Sequence, residues 1–184
     1  MTLPAFFYFT DDKRGRDPLE MAAGLSPDVA VLLRHYDHPS RELLAKEIKK
    51  ITKKRGLTLF VAKNAALATK VKADGCHIPT HMISTLPRLK SRYPNLIFSV
   101  ACHSVRDLIE AEKLGADFAF LSPLYPSRSH LGARALCLLN AAPYVQKSRI
   151  PVLGLGGVNW RRSKQLSSLG FSGLGAIDLF ERLV

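Results

Sequence analysis

Short apolar runs at near-equal intervals, each followed by a stretch with helical patterning, constrain this chain more than any other feature. The runs cover 5–9, 29–33, 57–62, 74–78, 96–101, 117–121, 150–155 and 172–177. Between them lie helical patterns at 18–23, 41–55 with Ser40 as N-cap, 65–71, 80–92, 104–114 and 133–147. An arginine-rich helical stretch follows residue 159, and a last helix is expected over 178–184. Pro87 weakens the middle of the helix at 80–92, and Pro143 interrupts the one at 133–147. Strict alternation of strands and helices means a parallel sheet. The run 29–33 is apolar throughout, as a strand buried on both faces must be. Eight units in 184 residues gives about 23 residues per unit, which points to one closed (β/α)8 TIM barrel of parallel strands spanning 1–184. An open doubly wound sheet would carry its glycine fingerprint after the first strand, and Phe9-Thr10-Asp11 contains no glycine.

The seventh run ends in Gly156-Gly157, and the eighth unit reads Gly173-Leu174-Gly175-Ala176-Ile177. Amides without side chains can close on phosphate oxygens, and a helix N-terminus adds partial positive charge. In barrels of this kind a phosphate site lies after strands seven and eight. The backbone at Gly156, Gly157, Ala176 and Ile177 is therefore the expected anion site. The net charge of +12 favours anionic small molecules. Its densest clusters, Lys49 to Arg55 and Arg161 to Lys164, have helical patterning that puts them on solvated outer faces. No aromatic residues interleave them as single-stranded nucleic-acid binding requires.

No apolar run reaches the ~20 residues of a membrane helix, and the N-terminus has no cationic-then-apolar signal pattern. Cys76, Cys102 and Cys137 are widely spaced and odd in number, which indicates neither a disulfide framework nor a metal site. A cytoplasmic protein is expected, with no nucleic-acid or membrane partner; assembly into a homo-oligomer is compatible with the pattern. Arg34, His35, His77, His103 and Ser122 all fall just past a strand, on the rim where barrel enzymes keep their chemistry. Each alone could be a hydrogen-bonded loop residue, and their convergence beside a glycine-lined anion site is what suggests a site.

Several of these residues carry a resemblance. Phe7-Tyr8-Phe9-Thr10-Asp11, Arg34, Gly75-Cys76-His77, His103-Ser104, the run 111–117, Tyr125-Pro126-Ser127 and the run 151–157 occur in an order and spacing similar to the thiamine phosphate synthase and TenI-type thiazole tautomerase family. The resemblance covers nearly the whole chain and implies the same barrel. It implies a thiazole phosphate site at Ser127 and Ser129, which stand where the family has Thr-x-Thr, together with Gly156, Gly157, Ala176 and Ile177. Asp178 stands where serine is usual, and suits the site if it caps a helix and turns away.

The family's synthase joins an aminopyrimidine diphosphate to thiazole phosphate, with magnesium carrying the departing pyrophosphate. By the resemblance, its Asn-Asp pair after strand three corresponds to Ala62-Lys63, and its second magnesium-binding aspartate to Met82. Its serine near the end of strand five, its lysine after strand two and its lysine after Thr-x-Thr correspond to Ala101, Tyr36 and His130. Magnesium needs hard oxygen ligands, which alanine, lysine and methionine do not supply. The favoured reading is thus a metal-free, cofactor-free enzyme that binds thiazole phosphate, or a related phosphate ester, and moves a proton by histidine, as a tautomerase would. The family's tautomerase histidine corresponds to Pro123, so His130, His103 and His77 are the candidates, His130 first because it follows the Ser-Arg-Ser loop. Arg34 and Lys63 would contribute to anion binding. Two alternatives stay open: the magnesium-dependent synthase itself, and a phosphate-ester binder without catalysis.

Overall fold

The computed structural model describes residues 3–13, 16–126 and 135–180. Its eight strands are β1 (Phe6–Phe9), β2 (Val29–Leu33), β3 (Leu59–Ala62), β4 (Gly75–Ile78), β5 (Ile97–Cys102), β6 (Phe118–Leu121), β7 (Val152–Leu155) and β8 (Gly173–Ala176). All pair in parallel in chain order, and β8 returns to β1, so the sheet closes into the expected barrel. The helices are α1 (Pro18–Gly24), α2 (Arg41–Arg55), α3 (Ala65–Lys70), α4 (Leu86–Arg92), α5 (Val105–Lys113), α6 (Leu138–Lys147) and α7 (Trp160–Ser168).

Alternation along the strands sorts the side chains into two cores. Phe7, Phe9, Ala30, Leu32, Phe60, Ala62, Phe118, Phe120 and Leu153 form one cluster inside the barrel. Their neighbours Tyr8, Val31, Leu33, Leu59, Val61, Ala119, Leu121 and Val152 pack outward under the helices. The interior is aromatic: Phe7 meets Phe60 and Phe120 edge-on at centroid distances of 5.4 and 5.1 Å. Such rings fit because glycines stand beside them. A Cβ on Gly175 would come within 2.5 Å of Phe9, and one on Gly75 would collide with the Phe60 ring. Each fully buried phenylalanine contributes about 1.5–3 kcal/mol relative to exposure.

At the opposite end from the candidate site, one device occurs twice. The Asp74 carboxylate accepts from Leu59 N at 2.8 Å and Lys49 Nζ at 3.0 Å. The Asp117 carboxylate likewise accepts from Phe98 N at 2.7 Å and Lys90 Nζ at 2.6 Å. Each aspartate thereby satisfies the amide of the preceding strand and ties down a helix.

Four expectations change. The helix expected over 80–92 is a 3-10 segment, Thr80–Thr85, followed by α4. Pro87 falls in the first turn of α4, where its missing N–H is no loss. Pro143 lies inside α6 without ending it. Ser40 holds the N-cap position of α2 but makes no side-chain cap bond; its amide donates to His38 Nδ1 at 3.2 Å. Finally, 178–180 form a turn rather than the start of a helix, and 181–184 lie outside the described residues. Phe180 is fully buried there, edge-on to Tyr8 and Trp160. An aromatic plug thus covers the outer face of β8 and β1 where the residues after β8 were expected to be helical. None of the helices among the described residues is long and apolar enough to cross a membrane.

Candidate active site

The C-terminal ends of the strands form a mouth whose floor is Phe9 and Phe120. His77, from β4, stands edge-on to both at 5.9 and 5.6 Å and is 4% exposed. Its Nδ1 lies 2.9 Å from the hydroxyl of Ser99, the buried neighbour on β5. Burial, reinforced by the positive Arg34 and by His103, pushes the His77 pKa down to about 3. This imidazole is therefore neutral at any physiological pH.

A second buried pair lies at the ends of β1 and β2. The Thr10 hydroxyl accepts from Arg34 N at 2.9 Å and lies 2.8 Å from His35 Nδ1. The hydroxyl oxygen has a second lone pair, so it can pair with His35 Nδ1 whichever ring nitrogen carries the proton. Burial lowers the pKa of His35 as well, partly offset by Asp12. The Arg34 guanidinium sits 3.9 Å from the Asp11 carboxylate. It also bonds the side chain of Tyr36, whose pKa burial raises.

His103 follows β5 and is exposed. Its Nδ1 is 3.1 Å from the Ser122 carbonyl and 3.2 Å from the Ser122 hydroxyl. A carbonyl only accepts, so Nδ1 carries the proton and Nε2 the lone pair. In that tautomer Nε2 can accept a proton, whereas a proton donated by the Ser122 hydroxyl to Nδ1 sets the opposite one.

Lys63 follows β3, is exposed, and has φ of 66°; its amide donates to the His77 carbonyl at 2.7 Å. Across the loops after β3 and β4 stand Lys63, Asn64 and the segment 79–85, which contains no carboxylate. The Asn64 carboxamide is engaged as N-cap of α3, and Met82 packs against the core. Among the described residues no three His, Cys, Asp or Glu side chains converge as a metal site would need. These loops do not fit magnesium, which takes oxygen ligands in near-octahedral array.

The glycine turn after β7 has a definite shape. The Leu155 carbonyl accepts from Leu124 N at 3.0 Å, and the Gly156 carbonyl from Tyr125 N at 3.1 Å. In a planar trans peptide the next amide points the opposite way. Gly156 N–H and Gly157 N–H therefore both face away from the loop after β6, towards β8. Gly156 and Gly157 adopt positive φ values of 89° and 64° in this turn. Consecutive amides so aligned make an anion-binding nest. A Cβ on Gly157 would lie 2.5 Å from the Pro126 carbonyl oxygen, so only glycine fits. Ala176 and Ile177, at the end of β8, are both 8% exposed, and Asp178 is turned to solvent.

All the described candidates thus stand at strand C-termini: Arg34, Lys63, His77, His103, Gly156, Gly157, Ala176 and Ile177. Ser127, Ser129 and His130 lie outside the described residues. Sequence reasoning missed Thr10 and Ser99 as partners of the buried histidines. The readable signal for Ser99 was a single polar residue inside the apolar run 96–101.

The profile of the TMP-TENI family, described as thiamine monophosphate synthase, matches residues 11–179. A protein of Aquifex aeolicus (strain VF5), named "Putative thiamine-phosphate synthase 2", is 36% identical over 98% of this chain and 99% of its own. The thiamine-phosphate synthase of Methanococcus vannielii is 29% identical over 94% of this chain and 85% of its own. Among solved structures, a thiamine phosphate pyrophosphorylase from Pyrococcus furiosus superposes with a TM-score of 0.83 at 24% identity, covering 98% of this chain and 93% of that one. The fold is therefore shared with that protein, and by its sequence the chain belongs to the thiamine monophosphate synthase (TMP-TENI) family of thiamine biosynthesis.

Proposed function

We propose that the protein binds thiazole phosphate in the barrel mouth and moves a proton on the thiazole ring without magnesium, as a tautomerase does. The observation that carries this is the chemistry of the loops after β3 and β4, where Lys63 and Met82 stand and no carboxylate does. The phosphate sits against the amides of Gly156, Gly157 and Ala176, within reach of Ser127 or Ser129. The ring lies over Phe9 and Phe120. His103 is the described residue suited to the proton transfer: its Nε2 takes the proton, and the Ser122 carbonyl at Nδ1 stabilises the imidazolium that forms. His130 remains the other candidate. His77, neutral and too weak a base, serves as a hydrogen-bonding group to the ring.

A second reading has specific support, since the relatives at 36% and 29% identity carry synthase names. On that reading the protein joins an aminopyrimidine diphosphate to thiazole phosphate. The two separate in a discontinuous assay for thiamine phosphate with both substrates, run with magnesium and with chelator. The proposal expects no magnesium-dependent product, but solvent-proton exchange on the thiazole ring that His103→Asn or His130→Ala lowers roughly 10²-fold. Efficient magnesium-dependent thiamine phosphate formation would replace it with the synthase reading.

A further inference from the structure

Arg162 belongs to the basic cluster of α7 that patterning alone puts on a solvated face, yet its guanidinium turns back onto the glycine turn. Its Nη1 donates to the Gly157 carbonyl, and its Cζ lies 4.1 Å from the centre of the Tyr125 ring. Tyr125 is held from its other end as well, its hydroxyl donating to Gln165 Oε1 at 2.9 Å. The contact depends on backbone shape: Asn159 caps α7 through Arg162 N at 3.0 Å, and Gly157, at φ 64°, presents its carbonyl to the first turn of that helix.

The consequence follows from peptide planarity. With the Gly157 carbonyl drawn to Arg162, the Val158 amide points away from it. The carbonyls of Leu155, Gly156 and Gly157 are then all tied on the side of Leu124, Tyr125 and Arg162. The amides of Gly156, Gly157 and Val158 are all left facing the other way.

We infer that Arg162 is the positioning residue of the anion site: clamped on Tyr125, it fixes the Gly157 peptide so that the amides of Gly157 and Val158, beyond the last pairing of β7 with β8, converge on one phosphate. This rests on the phosphate-ester reading proposed above. It adds that affinity for the phosphate depends on a side chain that does not touch it.

The test measures the affinity of each protein for thiazole phosphate and for the unphosphorylated thiazole alcohol by calorimetry. The preference for the phosphate ester reports the anion site alone. Arg162→Met should lose roughly tenfold or more of that preference, as removal of a charged hydrogen bond predicts. Tyr125→Leu, which keeps every charge, should lose part of it. Arg161→Met makes the same charge change at the exposed neighbouring position and should keep it. Preference retained in Arg162→Met, or lost equally in Arg161→Met, overturns the inference. If Arg162→Met does not fold, Tyr125→Leu decides, and an unchanged preference there overturns it. Wild-type protein with no preference would instead sink the phosphate reading. The inference would then stand or fall on the Gly157 and Val158 amide resonances of the ligand-free protein, which Arg162→Met must shift.

Discussion

Acid should loosen this barrel chiefly through His77. Its pKa falls from the ordinary 6.5 to about 3 on folding, because burial beside Phe9 and Phe120 disfavours the cation and Arg34 repels it. The native state therefore holds a neutral ring, while the unfolded chain takes up a proton as pH falls through 6.5. The stabilisation is complete above pH 6.5 and is lost progressively below it, until about pH 3, where the native ring titrates too. Each pH unit in that window costs roughly 1–1.5 kcal/mol. Between pH 6.5 and 4 the loss is about 3 kcal/mol, a large share of the 5–15 kcal/mol typical of a domain. His35, also depressed by burial, acts in the same direction. To isolate His77, urea unfolding is followed at pH 7, 6, 5 and 4 for the wild type and His77→Gln. Glutamine keeps a group able to bond Ser99 and cannot titrate, and every other ionisable group is common to both proteins. The variant should be about 1–2 kcal/mol less stable at pH 7 and the gap should close or invert by pH 4. Parallel stability curves would refute the reasoning, since they would mean that His77 titrates alike in both states.

The cysteines should separate sharply with a thiol reagent at pH 8: Cys137, exposed, reacts at once, while Cys76 and Cys102 react only on unfolding. Burial pushes the Cys76 thiol up to about 12 and raises that of Cys102 as well. Lys63, at φ 66°, occupies backbone that asparagine or glycine adopts more readily, so Lys63→Asn should raise the unfolding free energy by about 0.5–1 kcal/mol. Thermal denaturation checks this, and a lowered midpoint would count against it.

The barrel was readable because its strands alternate with helices at a steady interval, and because interior phenylalanines fall two residues apart in β1 and in β6. Several strands begin one or two residues later than their apolar runs. Leu57 and Leu96 extend the pattern but are buried outside the ladder, at 5% and 8% exposure. The glycine turn was readable because Gly156-Gly157 ends an apolar run, and only glycine tolerates its two left-handed residues in sequence. What was not readable are pairings across the chain. His77 meets Ser99 22 residues on, and Thr10 meets His35 25 residues on; no spacing rule connects them until the barrel aligns their strands. Arg162 was hidden differently. Patterning assigns a helix face but cannot show that a left-handed Gly157 brings its own carbonyl within reach of the first turn of α7.

The mouth divides into two sectors that handle anions in unlike ways. From β6 to β8 the groups proposed to bind the phosphate are backbone amides, oriented by carbonyls tied to Leu124, Tyr125 and Arg162. Such a site binds a phosphate dianion without a counter-ion, because its dipoles are fixed before the ligand arrives. From β1 to β4 both arginines are engaged with the protein itself: Arg34 with Asp11 and Tyr36, and Arg41 with the Ala62 carbonyl at 2.6 Å and the Tyr36 ring. A diphosphate there would have to displace those contacts, and no carboxylate stands in the loops after β3 and β4 to bring in a metal that could compensate. Lys63 keeps a left-handed backbone that suits a short oxygen-bearing side chain, but carries an ammonium instead. On the proposed reading, one sector takes a phosphate monoester on fixed dipoles, while the other would need rearrangement to hold a leaving pyrophosphate. That asymmetry favours proton transfer on a bound thiazole phosphate over pyrophosphate displacement.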